Sequence, residues 1–305
     1  MTLRHLTRTL RWLLDAEDAV AQATGDTVRI LANSDTAALR HLIDEHPVTN
    51  AYVQSILNTG RRAGPIGGFA RGVFLGIFDP AAPGTLVAAC WAGANIVPVT
   101  NEYQPGVYFG QALLALEERF GSIFGPQQAV EGIWEVLQHG RQNARDIRLE
   151  QPFMTITDQA TVAPNPQIRL ATEGDYDRVL PASVAMFTEE LGYSPLADGS
   201  SGYRLRVRQL IAKGHTMIEH GPAGIVFKAD FGIVTQAAVQ IQGVWVAPAA
   251  RGQGRAAPAM AAVVNHALRL APVVCLYVND FNTAAIRTYQ RVGFQTVDRF
   301  ATVLF

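Results

Sequence analysis

The chain has 305 residues, 49% of them hydrophobic and 17% charged. At ~150 residues per domain this length predicts about two domains, and so apolar a chain is not disordered throughout. A formal net charge of −1 gives no basic excess for gripping a phosphate backbone, which argues against a nucleic-acid binder.

Arg4, Arg8 and Arg11 precede Trp12-Leu13-Leu14, and Asp15, Glu17 and Asp18 follow. The apolar stretch is too short for a signal peptide, and residues 4–23 read as an amphipathic helix lying on the surface. No apolar run approaches ~18 residues, so neither a membrane span nor a membrane partner is expected. In the first half the pattern predicts a strand at 28–31, a helix at 36–44, and strands near 73–78 and 85–91. A helix at 107–120, a strand at 122–124, a helix at 126–138 and a strand at 152–156 follow. Pro164 and Pro166 bias Asp158–Gln167 toward an extended linker.

The second half predicts a strand at 168–171, a helix at 175–191, a polar loop at 192–202 and a helix at 203–213. Strands at 216–219, 224–231 and 237–246 precede an Ala-rich helix at 256–270. A buried strand at 273–278, a helix at 283–292 and strands near 294–297 and 300–305 close the chain. Mixed elements with a βαβ unit near the end predict an α/β sandwich. The boundaries are then an N-terminal helix over 1–27, a first domain over 28–157, a linker over 158–167 and a second domain over 168–305.

The halves repeat faintly. Val28-Arg29-Ile30-Leu31 and Asp35 recur 140 residues later as Ile168-Arg169-Leu170-Ala171 and Asp175. Each Asp precedes a helical pattern, where an N-cap belongs. Gly84–Ala89 faces Gly224–Ala229 at the same offset, both reading as a strand after a turn. Cys90 and Cys275 sit in apolar strands and read as buried free thiols. With no disulfide framework and no metal-ligand spacing, they fit a reducing cytoplasm, and no metal is expected. Only two of the 25 Lys+Arg are lysine, Lys213 and Lys228, which with abundant alanine points to a high-GC genome.

The informative segment is Gly243-Val244-Trp245-Val246 followed by Ala247-Pro248-Ala249-Ala250-Arg251-Gly252-Gln253-Gly254-Arg255-Ala256. A strand ends, a loop with two glycines follows, and a helix begins. Glycine lets successive backbone N–H groups turn outward, and with the helix N-terminus they form an anion site suited to a pyrophosphate. The spacing is neither the dinucleotide fingerprint nor a P-loop. About forty residues later a strand ends in Asn279, a helix begins near Asn282, Tyr289 lies two turns along it, and Gly293-Phe294 closes it.

Arg-x-x-Gly-x-Ala followed by Asn-x-x-Ala-x-x-x-Tyr-x-x-x-Gly-Phe resembles the GCN5-related N-acetyltransferase (GNAT) superfamily, over residues 168–305. The whole chain also resembles a group of two-domain acetyltransferases from high-GC bacteria, through Gly93–Val99, Phe187–Glu190 and Phe300–Phe305. The resemblance implies an α/β (α+β) fold of tandem acyl-CoA N-acyltransferase-like domains, each a mixed, largely antiparallel sheet flanked by helices. It implies acetyl transfer from acetyl-CoA, as co-substrate, to a primary amine in one ternary complex, with a small molecule favoured over a protein lysine. Val244, Trp245 and Val246 would pair with the pantetheine through their backbone. An N–H near Val246 would stabilise the oxyanion. Arg251, Gly252, Gln253, Gly254, Arg255 and Ala256 would hold the pyrophosphate, and Asn279 and Asn282 would contact the pantetheine. Arg287 and Arg291 would meet the adenosine phosphate or serve as plain surface charges.

Tyr289 is the candidate general acid, its alternative being an aromatic packed between helix and sheet. The strand before the loop offers Gln240 and Gln242 where many relatives carry a carboxylate, and an amide takes no proton at neutral pH. Glu189, Glu190, the α-carboxylate of Phe305 or a water chain remain as the base. His215 and His220 read as surface residues. At the comparable place the first half has Val99–Gly106, with one glycine, no arginine and Glu102 where phosphate would sit, so it reads as a degenerate copy without the CoA loop. It shapes the acceptor cleft or carries a dimer or intrachain interface. The reading from another class is a non-catalytic acyl-CoA sensor or interaction module, kept open by the missing strand carboxylate.

Overall fold

The structure is a computed structural model that describes residues 3–66, 72–197 and 201–305, with side chains from Trp12 onward. The side chains of Arg4, Arg8 and Arg11, and residues 198–200 of the polar loop, lie outside the described residues. The chain packs as two compact units, Met1–Phe153 with Asp298–Phe305, and Met154–Val297.

The first unit runs α1 (Leu3–Thr24), β1 (Arg29–Ile30), α2 (Thr36–Glu45), α3 (Ala51–Leu57), β2 (Val73–Asp79), β3 (Ala82–Ala92) and β4 (Asn95–Val99). It continues through α4 (Tyr103–Ala115), β5 (Ser122–Pro126), α5 (Gln127–Leu137) and most of β6 (Asp146–Ile156). Strands β1 to β4 pair in sequence, each antiparallel to the next, and β4 runs parallel to β5. Residues 300–304 of the closing strand β12 (Gln295–Leu304) pair antiparallel with β5. One face of this sheet buries α1, α4 and α5 through Val20, Phe109 and Ile133. The other buries α2 and α3 through Leu39, Ile43 and Val53. Ala16 and Val20 of α1 are buried, so the amphipathic helix packs its apolar face on the core, as expected.

The second unit runs β7 (Arg169–Leu170), α6 (Tyr176–Leu191), α7 (Ser201–Ala212), β8 (Thr216–Gly221), β9 (Gly224–Val234) and β10 (Ala238–Val246). Then come α8 (Ala256–Ala267), β11 (Val273–Tyr277) and α9 (Thr283–Val292). The order and sense repeat those of the first unit: β7 to β10 pair antiparallel in sequence, and β10 runs parallel to β11. Helices α8 and α9 cover one face through Met260, Val263 and Val292, and α6 and α7 the other through Val179, Leu180 and Ile211. Residues 158–167 are docked here: Thr161 N–H donates to the Val292 carbonyl at 3.0 Å and Asn165 N–H to the Pro258 carbonyl at 2.9 Å.

The repeat is chemical as well as topological. Arg29 grips both oxygens of Asp35 at 2.8 and 3.0 Å, and Arg169 grips both of Asp175 at 2.7 and 2.8 Å. Each Asp stands at the N-cap position of the helix that follows, as expected, though its side chain makes no cap hydrogen bond there. Each closes a short 3-10 turn by accepting the N–H three residues back, from Ala32 at 2.7 Å and Thr172 at 2.8 Å. Asp175 adds the Thr172 hydroxyl at 2.9 Å and His220 at 2.9 Å, so His220 is a bonded partner of a buried carboxylate and not a plain surface residue. His215 is half-buried, and burial lowers its pKa.

The Arg169 guanidinium, aided by the Thr172 N–H and His220, holds the Asp175 carboxyl far below the usual carboxylate range, against the cost of burial. A folded-state pKa below the unfolded ~3.9 contributes stability above that pH, and the contribution fades as pH falls below about 4. Asp175→Ala is therefore expected to cost about 2 kcal/mol at neutral pH, as for a lost cap. Urea unfolding at pH 7 and pH 3.5 should show the gap to wild type closing at the lower pH.

Other elements depart from the sequence reading. Helix α3 and strand β4 were not expected: seven residues are too few for helical periodicity to show, and β4 is apolar on both faces, so it lacks alternation. Helix α4 begins at Tyr103 rather than 107, α8 ends at Ala267, β6 begins at Asp146, and the two closing strands are one. Cys90 and Cys275 are free and fully buried as expected, and burial raises both thiol pKa values, that of Cys275 to about 12.

Candidate active site

The second unit's sheet opens at one place. Strands β10 and β11 pair only over Ala238–Gln240 and Val273–Cys275, though both run on, to Val246 and Tyr277. From Ile241 onward β10 therefore has an edge without a β11 partner. On its other side β10 carries a bulge: Gln242 faces Asp230 and Trp245 faces Lys228, so Gly243 and Val244 together oppose Ala229. Gly243 has φ +60°, which favours glycine. The extra residue shifts the alternation, so Val239, Ile241, Val244 and Val246 pack toward α8 and α9 while Trp245 packs toward α6 and α7.

The loop after β10 is exposed from Arg251 to Arg255 and turns through Gly252 and Gly254 at φ +73° and +72°. A Cβ at either glycine would meet nothing within 4 Å, so backbone conformation rather than crowding demands glycine here. Among the described residues no backbone carbonyl accepts from the N–H groups of Gly252 to Ala257. Pro258, in the first turn of α8, has no N–H to satisfy. A fan of unengaged donors at a helix N-terminus suits the pyrophosphate of CoA.

Four side chains brace this loop. Arg251 donates from Nε to the Val246 carbonyl at 2.9 Å and from Nη2 to Glu189 Oε2 at 2.6 Å. Trp245 Nε1 donates to Glu189 Oε1 at 3.3 Å. Gln253 donates to the Ala249 carbonyl at 2.7 Å. Arg255 donates to Oε1 of the buried Glu219 at 2.7 Å. The arginines thus hold the loop's shape, and the backbone supplies its open donors.

Tyr289 is buried on α9, with its ring against Phe294 at a centroid distance of 5.8 Å. The Gly-Phe ending has a physical cause: Phe294 N–H donates to the Tyr289 carbonyl at 3.0 Å, and Gly293 N–H to the Gln290 carbonyl at 3.1 Å, with Gly293 at φ +117°. This left-handed closure ties Tyr289 to Phe294 in backbone and side chain alike. Burial, with the Glu190 charge, pushes the Tyr289 phenol pKa above its ordinary value, so it keeps its proton at neutral pH. The structure therefore brings Glu190 within electrostatic reach of Tyr289 and gives Glu189 to Arg251 and Trp245.

Asn282 caps α9, its Oδ1 accepting from the Ala285 N–H at 3.2 Å, and its own N–H reaches the Asn279 carbonyl at 2.9 Å. Arg287 and Arg291 are exposed. Phe305 packs within the first unit, its ring 6.1 Å from that of Trp134 and its N–H on the Gly121 carbonyl. At the place of the loop the first unit has three residues, 100–102, between β4 and α4. Gly106 lies inside α4, where a Cβ would collide with the Ala129 carbonyl, so it serves helix packing and not anion binding. Sequence reasoning missed the pairs Glu219–Arg255 and Lys228–Asp230. The second pair had a signal, two opposite charges at i and i+2 in an apolar strand. Among the described residues no cluster could hold a metal ion, and no helix is long and apolar enough to cross a membrane.

A parting strand pair, a bulged strand, a two-glycine loop and a closing helix with a buried tyrosine define an acyl-CoA N-acyltransferase fold. Residues 210–294 match the model of the acetyltransferase (GNAT) family, and residues 72–179 match that of a domain of unknown function, DUF4081. No curated protein matches the chain. Among solved structures, a GCN5-related N-acetyltransferase from Sphaerobacter thermophilus is 18% identical, with TM-score 0.57, over 90% of this chain and 94% of that one. A GNAT-family acetyltransferase from Colwellia psychrerythraea is 13% identical, with TM-score 0.52, over 91% and 99%. A GCN5-related N-acetyltransferase from Kribbella flavida is 14% identical, with TM-score 0.51, over 84% and 93%. These structures share the fold over most of their length.

Proposed function

We propose that the protein is an N-acetyltransferase of the cytoplasm that moves the acetyl group of acetyl-CoA to a primary amine, a small molecule rather than a protein lysine. The carrying observation is the exposed loop from Arg251 to Arg255 and the unengaged N–H groups of Gly252 to Ala257, at the end of an open strand edge. Acetyl-CoA supplies the activated acyl group. The loop holds its pyrophosphate, and the free edge of Val244 to Val246 pairs with its pantetheine arm as an added strand does. The amine nitrogen bonds to the thioester carbon, the carbon–sulfur bond breaks, and Tyr289 gives its proton to the leaving sulfur. Glu190, whose charge acts on Tyr289, takes the ammonium proton.

The test is a broad amine and peptide screen with acetyl-CoA, following free thiol. Thiol release with a small amine supports the reading. Acetyl-CoA binding without release for any acceptor would instead make the protein a sensor. Once an acceptor is in hand, Glu190→Gln is expected to lower kcat/KM about tenfold or more and flatten its rise with pH, as loss of a general base does. Glu189→Gln should leave the shape of the pH profile intact, and a flattened profile there would move the base to Glu189.

A further inference from the structure

Lys228 is one of two lysines in the chain, and its side chain is completely buried. A buried ammonium is expensive unless it is paired and hydrogen-bonded. Its Nζ donates to Asp230 Oδ2 at 2.6 Å and to the Gly243 carbonyl at 3.1 Å. Asp230 Oδ1 accepts the Thr216 hydroxyl at 2.8 Å. The pair thus spends one of its bonds on a backbone carbonyl, and that carbonyl belongs to the bulge of β10. A Cβ at Gly243 would lie 2.9 Å from Asp230 Oδ2 and 3.3 Å from Lys228 Nζ, so the bulge glycine is seated directly on the pair.

The carbonyl of Gly243 and the N–H of Val244 share one planar trans peptide and point in opposite directions. Lys228 bonds the Gly243 carbonyl and so turns the Val244 N–H of the same peptide away from itself, in the stretch of β10 that has no β11 partner. We propose that Lys228 is a positioning residue: by holding the Gly243 carbonyl it fixes the Val244 N–H as the donor that meets the thioester oxygen as charge develops there. This rests on the acetyl-transfer reading. A donor fixed before reaction gives more stabilisation than one that must reorient, and a bulge without regular ladder bonds needs an outside anchor.

Two double variants test it. Lys228→Met with Asp230→Asn removes the donor and leaves no lone charge buried. Lys228→Gln with Asp230→Asn removes the same charges but keeps a donor for the Gly243 carbonyl. The methionine variant is expected to speed amide exchange over residues 242–246 about tenfold or more. Its kcat is expected to fall about tenfold or more with KM for acetyl-CoA within about twofold. The glutamine variant is expected to retain most of both. Equal kcat in the two variants, or unchanged exchange at 242–246 in the methionine variant, would overturn the proposal. Should the methionine variant not melt cooperatively, the glutamine variant decides, because a kcat loss with exchange protection intact would also overturn it. Absence of turnover in the wild type would fail the acetyl-transfer reading, while the exchange comparison still judges the anchor.

Discussion

Tyr289→Phe is expected to lower kcat at least about tenfold with KM for acetyl-CoA unchanged, the size of effect of a lost general acid. The ring remains against Phe294 and the backbone closure at Gly293 does not involve the hydroxyl, so the fold should persist. The phenol suits its task because burial and the Glu190 charge both oppose its ionisation. A thiolate leaving group needs a neutral donor, and this environment keeps the donor neutral across the working range of pH. Steady-state kinetics at saturating acetyl-CoA and acceptor decide it. Equal kcat would assign Tyr289 to packing alone.

Gly254→Val is expected to weaken acetyl-CoA binding about fivefold or more by calorimetry, with little change in melting temperature. Gly254 sits at φ +72° with open space where a Cβ would go. The penalty is therefore conformational, ~1–3 kcal/mol for a residue forced into the left-handed region, and greatest for a β-branched one. The exposed loop can escape that penalty by rotating, which turns its N–H groups away from the pyrophosphate and spares the core. A change of ~1–3 kcal/mol in binding corresponds to about five- to 150-fold in Kd. Unchanged affinity would remove the loop from the donor site.

Much of this site is local and therefore written along the chain. The two glycines, the proline in the first turn of α8 and the Tyr-x-x-x-Gly-Phe ending are backbone requirements that one segment states by itself. The repeat at 140 residues was visible through Arg29 and Asp35 because a bidentate ion pair needs those two residue types at a fixed spacing. That Asp35 and Asp175 also close a 3-10 turn is not legible, because a turn closed from its third residue and one capped from its first share the same letters. Strand β4 was invisible because burial on both faces erases the alternation that marks a strand.

The sequence by itself determined the two-glycine loop and the Tyr-x-x-x-Gly-Phe ending, since each depends on neighbours within about a dozen residues. Only the tertiary structure gave different surroundings to Glu189 and Glu190, adjacent on one helix. Successive helical residues point in different directions, and what lies there, Arg251 for one and Tyr289 for the other, comes from 62 and 99 positions away. The same holds for Lys228, whose charge in an apolar strand gains its meaning only when β10 brings the Gly243 carbonyl to it across the sheet.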